Sequence, residues 1–243
     1  MISFKHKFIF IHIPKSAGTS IENALQYYSD DEIHNGLIKP GRMITEIARK
    51  KKVKLDNYRH LSYDKYKQIL GNDINNFFIF SVLRKPYDRI PSLYYQSRIK
   101  DISLAKFVGS IRNSRHIVSS EGIKMAMIKT FIGNVKDIFL LKFDNLNEDW
   151  KVLLNKLNLP YIKLEHLNRD KIKSYKHLYK DLRFSQLMKE VFKDEISEYF
   201  TEKKQEKIVK KPVKEKEYEY FFIDIIGDIS AKIERELHID WKF

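Results

Sequence analysis

Three short apolar segments, each followed by residues with helical spacing, constrain the fold of this chain most strongly. The apolar segments are residues 8–13, 77–83 and 138–143, and the helical patterns after them cover residues 19–28, 90–99 and 153–157. A strand that is apolar along its whole length is covered on both faces, and alternation of strands with helices is typical of a parallel sheet. The sequence therefore predicts an α/β domain in which helices flank a central parallel sheet in three layers.

The rest of the chain is more polar. Residues 29–76 contain the basic cluster RKKKVK at 49–54 and predict helices and loops beside the sheet, and residues 184–200 have a helical pattern. The lysine-rich residues 203–216 predict an exposed linker. The apolar spacing after them predicts an amphipathic C-terminal helix that docks on the domain or on a partner, with a membrane surface as the alternative. We therefore divide the chain into a domain of residues 1–202 and an extension of residues 203–243.

The charge and the residue types limit the class of function. The chain has 46 Lys and Arg against 32 Asp and Glu, a formal charge of +14, so its surface attracts nucleotides, acidic glycans, nucleic acid or anionic lipid. No nucleic-acid-reading motif supports the third of these. The chain has no cysteine, and its eight histidines lack metal-ligand spacing, so we expect no metal. No apolar segment approaches the roughly 18–20 residues of a membrane span, and a cytoplasmic protein is expected.

The segment HIPKSAGTS at 12–20 lies between the first strand and the first helix. Backbone N–H groups and the positive end of the helix dipole meet at such a turn, and Lys15 with the hydroxyls of Ser16, Thr19 and Ser20 adds donors for an anion. An ordinary capped helix is the alternative. The ATP-binding loop has its lysine after a second glycine, whereas Lys15 precedes the lone glycine, Gly18, so an ATP site or a kinase is disfavoured.

A second segment, FSVLRKPYDRIPSLYY at 80–95, also lies between a predicted strand and a predicted helix. Arg84 comes directly after a strand, and Ser92 lies eight residues later in the next helix, so that both side chains can grip one anion. Two anion sites at the carboxyl ends of parallel strands suit a nucleoside with phosphates at both ends.

These two segments resemble the motifs of the sulfotransferase family, in particular its carbohydrate-type branch, whose donor is 3′-phosphoadenosine-5′-phosphosulfate (PAPS). Residues 57–70 and 166–200 are similar to two further segments of the family, so the resemblance covers about residues 8–200. It implies a P-loop-like fold. It also implies that the 5′-phosphosulfate is held by Lys15, Ser16, Ala17, Gly18, Thr19 and Ser20. Arg84 and Ser92 are implied to hold the 3′-phosphate. The chain departs from the family pattern at Lys85 and at Pro91, which stands inside the helix just before Ser92.

The same resemblance assigns the chemistry. Lys15 would stabilise charge on the leaving oxygen, and His60 would be the general base, as the matching histidine is in related glycan 2-O-sulfotransferases. A His60 that caps the following helix is the alternative, and Glu22, Asp56 and His12 are the other candidates for the base.

The expected activity is transfer of a sulfuryl group from PAPS to an acceptor hydroxyl by in-line displacement, with a carbohydrate as the expected acceptor. Adenosine 3′,5′-bisphosphate is the expected product, and no metal ion is required. A non-catalytic nucleotide- or anion-binding module is the alternative function. The absence of a signal or anchor favours a bacterial-type cytosolic enzyme. Acceptor specificity is expected in loops within residues 29–58 and 96–125. Peripheral membrane contact through the C-terminal helix and homo-oligomerisation are left open.

Overall fold

A four-stranded sheet with the order β1-β2-β5-β6 is the centre of the fold. The strands along the chain are β1 (Ile2–Ser3), β2 (Phe8–Ile11), β3 (Glu32–His34), β4 (Leu37–Lys39), β5 (Phe78–Leu83) and β6 (Phe139–Lys142). The three predicted strands, β2, β5 and β6, are parallel neighbours, as expected, and β1 adds an antiparallel edge. A separate hairpin of β3 and β4 lies in the region where only helices and loops were predicted.

Helices follow each of the parallel strands. The described residues form α1 (Gly18–Leu25), α2 (Arg42–Lys50), α3 (Tyr63–Leu70), α4 (Pro86–Gln96), α5 (Leu104–Asn113), α6 (Lys129–Ile132), α7 (Leu146–Lys156), α8 (Leu182–Val191) and α9 (Lys193–Tyr199). Short 3₁₀ turns include Tyr58–His60 and Lys176–Lys180. The helical pattern of residues 184–200 corresponds to two helices, which are separated at Phe192.

Both faces of the sheet are covered because side chains alternate along each strand. Ile9 and Ile11 pack into a cluster with residues of α2, α3 and α6. Phe8 and Phe10 point to the opposite face and pack with residues of α1 and α7. The helices therefore form a layer on each side of the sheet, and the predicted central sheet flanked by helices is confirmed.

A third apolar cluster joins α4 and α5 to the C-terminal helices α8 and α9. Within this region the guanidinium of Arg89 is fully buried and donates to Glu195 at 2.6 Å. The second carboxylate oxygen of Glu195 accepts from the backbone N–H of Ile128 at 2.8 Å. One buried carboxylate thus connects α4, α9 and the backbone before α6.

The structure, a computed structural model, describes residues 1–34, 37–96, 102–113, 126–133, 137–165 and 175–200, all within the unit Met1–Val209. The predicted linker and amphipathic helix of residues 203–243 lie outside the described residues and stay predictions. Among the helices that the structure describes, none is long and apolar enough to cross a membrane.

The Arg89–Glu195 pair generates a prediction about stability. Glu195→Ala leaves a fully buried guanidinium without its counter-charge, so we expect the free energy of unfolding to fall by about 3–5 kcal/mol. The exposed pair Lys151–Glu148 offers a control, because its charges stay in contact with water and Glu148→Ala should cost far less. Urea unfolding of the two variants measures both values. Equal losses would show that the buried pair does not carry the stability of this region.

Candidate functional site

The loop between β2 and α1 has an unusual backbone. Lys15 and Ala17 both have left-handed conformations, with φ of 65° and 60°. Such conformations are uncommon in residues other than glycine, and a pair of them turns successive N–H groups toward one point. The backbone strain is therefore typical of a loop that is shaped around an anion.

The start of α1 has open hydrogen-bonding capacity. Its N-cap residue, Ala17, provides no side-chain cap. Ser16 is only 1% exposed, and its hydroxyl has no hydrogen-bond partner. Buried polar groups are nearly always paired, so an unpaired hydroxyl beside an uncapped helix N-terminus indicates a place for an anionic ligand. This arrangement favours the predicted anion site over the ordinary capped helix.

Gly18 is required by the close approach of His12. A Cβ atom at Gly18 would lie 1.9 Å from Nε2 of the His12 ring. The ring cannot easily move away, because it is buried and its Nδ1 lies 2.6 Å from a carboxylate oxygen of Glu22. The glycine of the motif is therefore explained by the packing of the loop against its own strand end.

Glu22 is the centre of a buried polar network behind the loop. Arg59 donates from Nη2 to Glu22 at 2.5 Å and to the hydroxyl of Thr19 at 2.9 Å. Burial by itself would raise the pKa of Glu22, but the hydrogen bonds from His12 and Arg59 and the positive charge of Arg59 outweigh it, and the pKa lies below its usual value. Burial lowers the pKa of His12, so its neutral ring donates from Nδ1 to the ionised carboxylate. The network thus ties the loop, α1 and the turn at Arg59 together.

His60 faces this network from the adjacent 3₁₀ turn. Its Nδ1 lies 3.0 Å from the carbonyl oxygen of His12, and because a carbonyl only accepts, Nδ1 carries the proton. Nε2 then holds the lone pair of a neutral ring. Burial is the main cause that lowers the pKa of His60 from 6.5 to about 4, and the ring is neutral at pH 7.

His60 does not cap the following helix. The N-cap of α3 is Ser62, whose side chain accepts from the N–H of Lys65 at 3.3 Å. The alternative interpretation of His60 as a helix cap is therefore wrong.

Three consecutive residues hold the 3₁₀ turn in place. The hydroxyl of Tyr58 donates to Asp31 at 2.5 Å, Arg59 binds Glu22, and His60 binds the backbone of His12. Side chains at neighbouring positions of one short turn thus contact three different segments, which fixes the position of His60 relative to the loop.

The second motif meets the first through a direct contact. Nη1 of Arg84 donates to the backbone carbonyl of Lys15 at 3.0 Å, and the guanidinium lies 4.4 Å from the ring centroid of Phe143. Ser92 is buried in α4 with 1% exposure. Lys85, a departure from the family pattern, forms an exposed ion pair with Asp144 at 2.7 Å and takes no part in these contacts.

The structure thus brings together most of the predicted site. The loop, Arg84 and His60 lie within one chain of contacts, whereas the candidate base Asp56 is exposed, and Glu22 and His12 are engaged with each other. Sequence reasoning missed Arg59, although its place directly before His60 was a usable signal. Among the described residues, no group of three or more His, Asp or Glu is arranged to hold a metal ion.

A strained loop at the start of α1 lies beside an arginine-bearing strand end, at the carboxyl edge of a parallel sheet, and α/β proteins of this architecture bind their ligands at that edge. The model of the sulfotransferase family matches residues 1–221. The chain belongs to the sulfotransferase family, as predicted, and its activity is accordingly sulfuryl transfer. A comparison with curated proteins and one with solved structures each gave no match.

The packing at Gly18 gives a prediction for the loop. Gly18→Ala forces the pinned His12 ring to move, and we expect a loss of about 1–3 kcal/mol in the free energy of unfolding, the usual cost of overpacking. Gly109→Ala in α5 is the control, because a Cβ there meets no heavy atom within 4 Å and alanine is the better helix former. Thermal unfolding distinguishes them. A Gly18→Ala protein as stable as Gly109→Ala would contradict the close approach.

Proposed function

We propose that this sulfotransferase moves the sulfuryl group of PAPS to a hydroxyl of a carbohydrate, with His60 as the base. The observation that carries the proposal is the contact of Arg84 with the backbone of Lys15 at 3.0 Å, because it joins two anion-binding motifs at one edge of the sheet. A nucleotide with charged groups at both ends of its nucleoside fits such a pair of motifs.

The loop residues would hold the sulfated end of the donor. The hydroxyls of Ser16, Thr19 and Ser20 and the N–H groups around Ala17 and Gly18 are its donors. Thr19 already accepts a bond from Arg59, so its own O–H is left to donate. When bound, the donor supplies the sulfuryl group and a nucleotide phosphate as leaving group. Lys15 would stabilise the negative charge that grows on the leaving oxygen, where a cation contributes most in the transition state.

Arg84 and Ser92 would hold the 3′-phosphate. A guanidinium forms charge-assisted bonds with phosphate oxygens, and the serine hydroxyl adds another donor from α4. The stacking of Arg84 over Phe143 orients the guanidinium plane. This half of the site would distinguish a nucleoside bisphosphate from a monophosphate.

His60 would take the proton of the attacking hydroxyl at Nε2. The bond from Nδ1 to the carbonyl of His12 selects the tautomer with a lone pair on Nε2 and holds the ring. Because its pKa is about 4, the ring is in the acceptor state over the whole neutral range. Such a ring is a weaker base than an unperturbed histidine, and the negative charge of a bound donor would raise its pKa toward the working pH.

A carbohydrate with acidic groups is the acceptor that the surface charge favours. The basic cluster at 49–54 is exposed except for Val53, begins in the last turn of α2 and precedes the turn that bears His60 by four residues. Positive charge in the segment that leads to this turn would attract anionic acceptors to the protein surface.

The donor assignment predicts nucleotide selectivity. Adenosine 3′,5′-bisphosphate should bind more tightly than adenosine 5′-monophosphate, and Arg84→Ala should remove roughly 1.5–3 kcal/mol of that difference, the value of a hydrogen bond to a charged group. Calorimetric titration of both nucleotides measures it. Lys85→Ala is the matched control, since it removes the neighbouring cation whose partner is Asp144, and should weaken both nucleotides alike. Equal affinities for the unmodified chain would overturn the assignment.

The role of His60 predicts a separate effect on turnover. His60→Gln retains a side-chain donor for the carbonyl of His12 but has no basic nitrogen, so turnover should fall by about 10²–10⁴-fold while bisphosphate affinity is retained. Only the neutral ring accepts a proton, so the rate should fall as pH drops through the pKa. In kcat/KM for the donor, which reports the free protein, that acid limb should lie near pH 4 rather than 6.5.

Replacement of His6 by Gln controls for loss of a histidine. His6 precedes β2 and so lies at the opposite end of that strand from the loop at 15–20, and its loss should change neither turnover nor the acid limb. A His60→Gln protein with full turnover per folded molecule would return the role of base to Glu22, Asp56 or His12. A different result would favour the alternative function, a non-catalytic nucleotide-binding module. In that case the unmodified chain binds the bisphosphate but transfers no sulfuryl group, and His60→Gln leaves this binding unchanged.

A further inference from the structure

A proline interrupts the helix that carries Ser92. α4 runs from Pro86 to Gln96, and Pro91 lies in its interior. Proline has no N–H, so the carbonyl of Tyr87, four residues earlier, loses its helical donor. A partly buried carbonyl without a hydrogen-bond partner costs free energy. A donor from another part of the chain would therefore stabilise the helix at this position.

Tyr179 provides that donor from a distant part of the chain. Its hydroxyl donates to the carbonyl oxygen of Tyr87 at 2.5 Å. The rings of Tyr87 and Tyr179 pack edge to face, with centroids 5.1 Å apart, and the Tyr179 ring also stacks on Phe184 of α8, with centroids 5.5 Å apart. The hydroxyl is therefore held in place by the packing of its own ring.

The same segment contacts α4 at a second place beyond the proline. The ring of Tyr175 stacks on the ring of Tyr95 with centroids 6.0 Å apart and an interplanar angle of 7°. The segment from Tyr175 to Tyr179 thus contacts α4 on both sides of Pro91 and of the buried Ser92. Together these contacts hold α4 in place on both sides of the proline.

We propose that Tyr179 is a positioning residue for the 3′-phosphate: its hydroxyl replaces the N–H that Pro91 lacks, and so holds the turn of α4 that presents Ser92. This inference rests on the proposed function, since it assumes that Ser92 meets the 3′-phosphate. It assigns a role in donor selectivity to a residue that lies 87 positions after Ser92 and touches no reacting atom.

Calorimetric titration of the full chain with adenosine 3′,5′-bisphosphate and adenosine 5′-monophosphate tests the inference. Tyr179→Phe removes only the hydroxyl, and we expect the ratio of the two affinities to fall about fivefold, the worth of one ordinary hydrogen bond. The monophosphate affinity should not change, because the loop at residues 15–20 is not altered. Tyr199→Phe is the matched control: it removes a tyrosine hydroxyl that donates to the carbonyl of Gly133 instead, and should leave the ratio unchanged.

The decisive variant is the double replacement Pro91→Ala with Tyr179→Phe. Alanine restores a backbone N–H for the carbonyl of Tyr87, so most of the lost selectivity should return. A role of Tyr179 in stability alone predicts no such rescue, and the melting temperature of each variant is measured alongside. If Tyr179→Phe does not fold, the double variant tests the role of Tyr179 by itself, because it should fold and bind the bisphosphate more tightly than the monophosphate.

The outcomes separate the two proposals. An unmodified chain that binds both nucleotides equally overturns the proposed function and this inference with it. An unmodified chain with selectivity, combined with unchanged selectivity in Tyr179→Phe or no recovery in the double variant, overturns only the role of Tyr179.

Discussion

The parallel pairing of β2 with β5 is the constraint on which the site depends. The two strands are in register from Phe8 opposite Phe78 to Ile11 opposite Ser81, and the buried hydroxyl of Ser81 donates to the carbonyl of Ile11 at 2.7 Å. Because both strands end at the same edge, the loops that follow them must meet there. The bond from Arg84 to the backbone of Lys15 is the direct result. Two motifs whose contacting residues are 69 positions apart in sequence therefore lie side by side.

A second constraint fixes the proposed base against this edge. Glu22 lies in α1, yet its carboxylate holds His12 at the strand end and Arg59 in the turn beside His60. A buried carboxylate with one partner removed would leave an uncompensated charge, so the three groups stabilise one another. The loop at 15–20 and the turn at 58–60 are thus connected through one side chain. A disturbance of either is expected to reach the other.

Periodicity was sufficient to predict the strands β2, β5 and β6 and the helices after them, and the two motifs were sufficient to predict anion sites at the carboxyl ends of β2 and β5. Those features follow from local patterns and from the rule that parallel strands end together. The hairpin of β3 and β4 has only three residues in each strand, too few for a clear alternation. The contact of Arg59 with Glu22 joins residues far apart in sequence, and no local pattern predicts such a partner. The same holds for Tyr179 and the carbonyl of Tyr87.

The two ends of the proposed donor site rest on different parts of the chain. The loop at 15–20 is held by His12, Glu22 and the turn at 58–60, all within the first quarter of the sequence. The helix that carries Ser92 is held instead from the C-terminal side, through Arg89 with Glu195 and through Tyr179. Pro91 is unfavourable inside a helix, and it lies in the part of α4 that Tyr179 contacts. Residues that disagree with local structural preference are expected where function determines the geometry. Changes in the C-terminal helices should therefore alter the grip on the 3′-phosphate while the loop for the sulfated end keeps its shape.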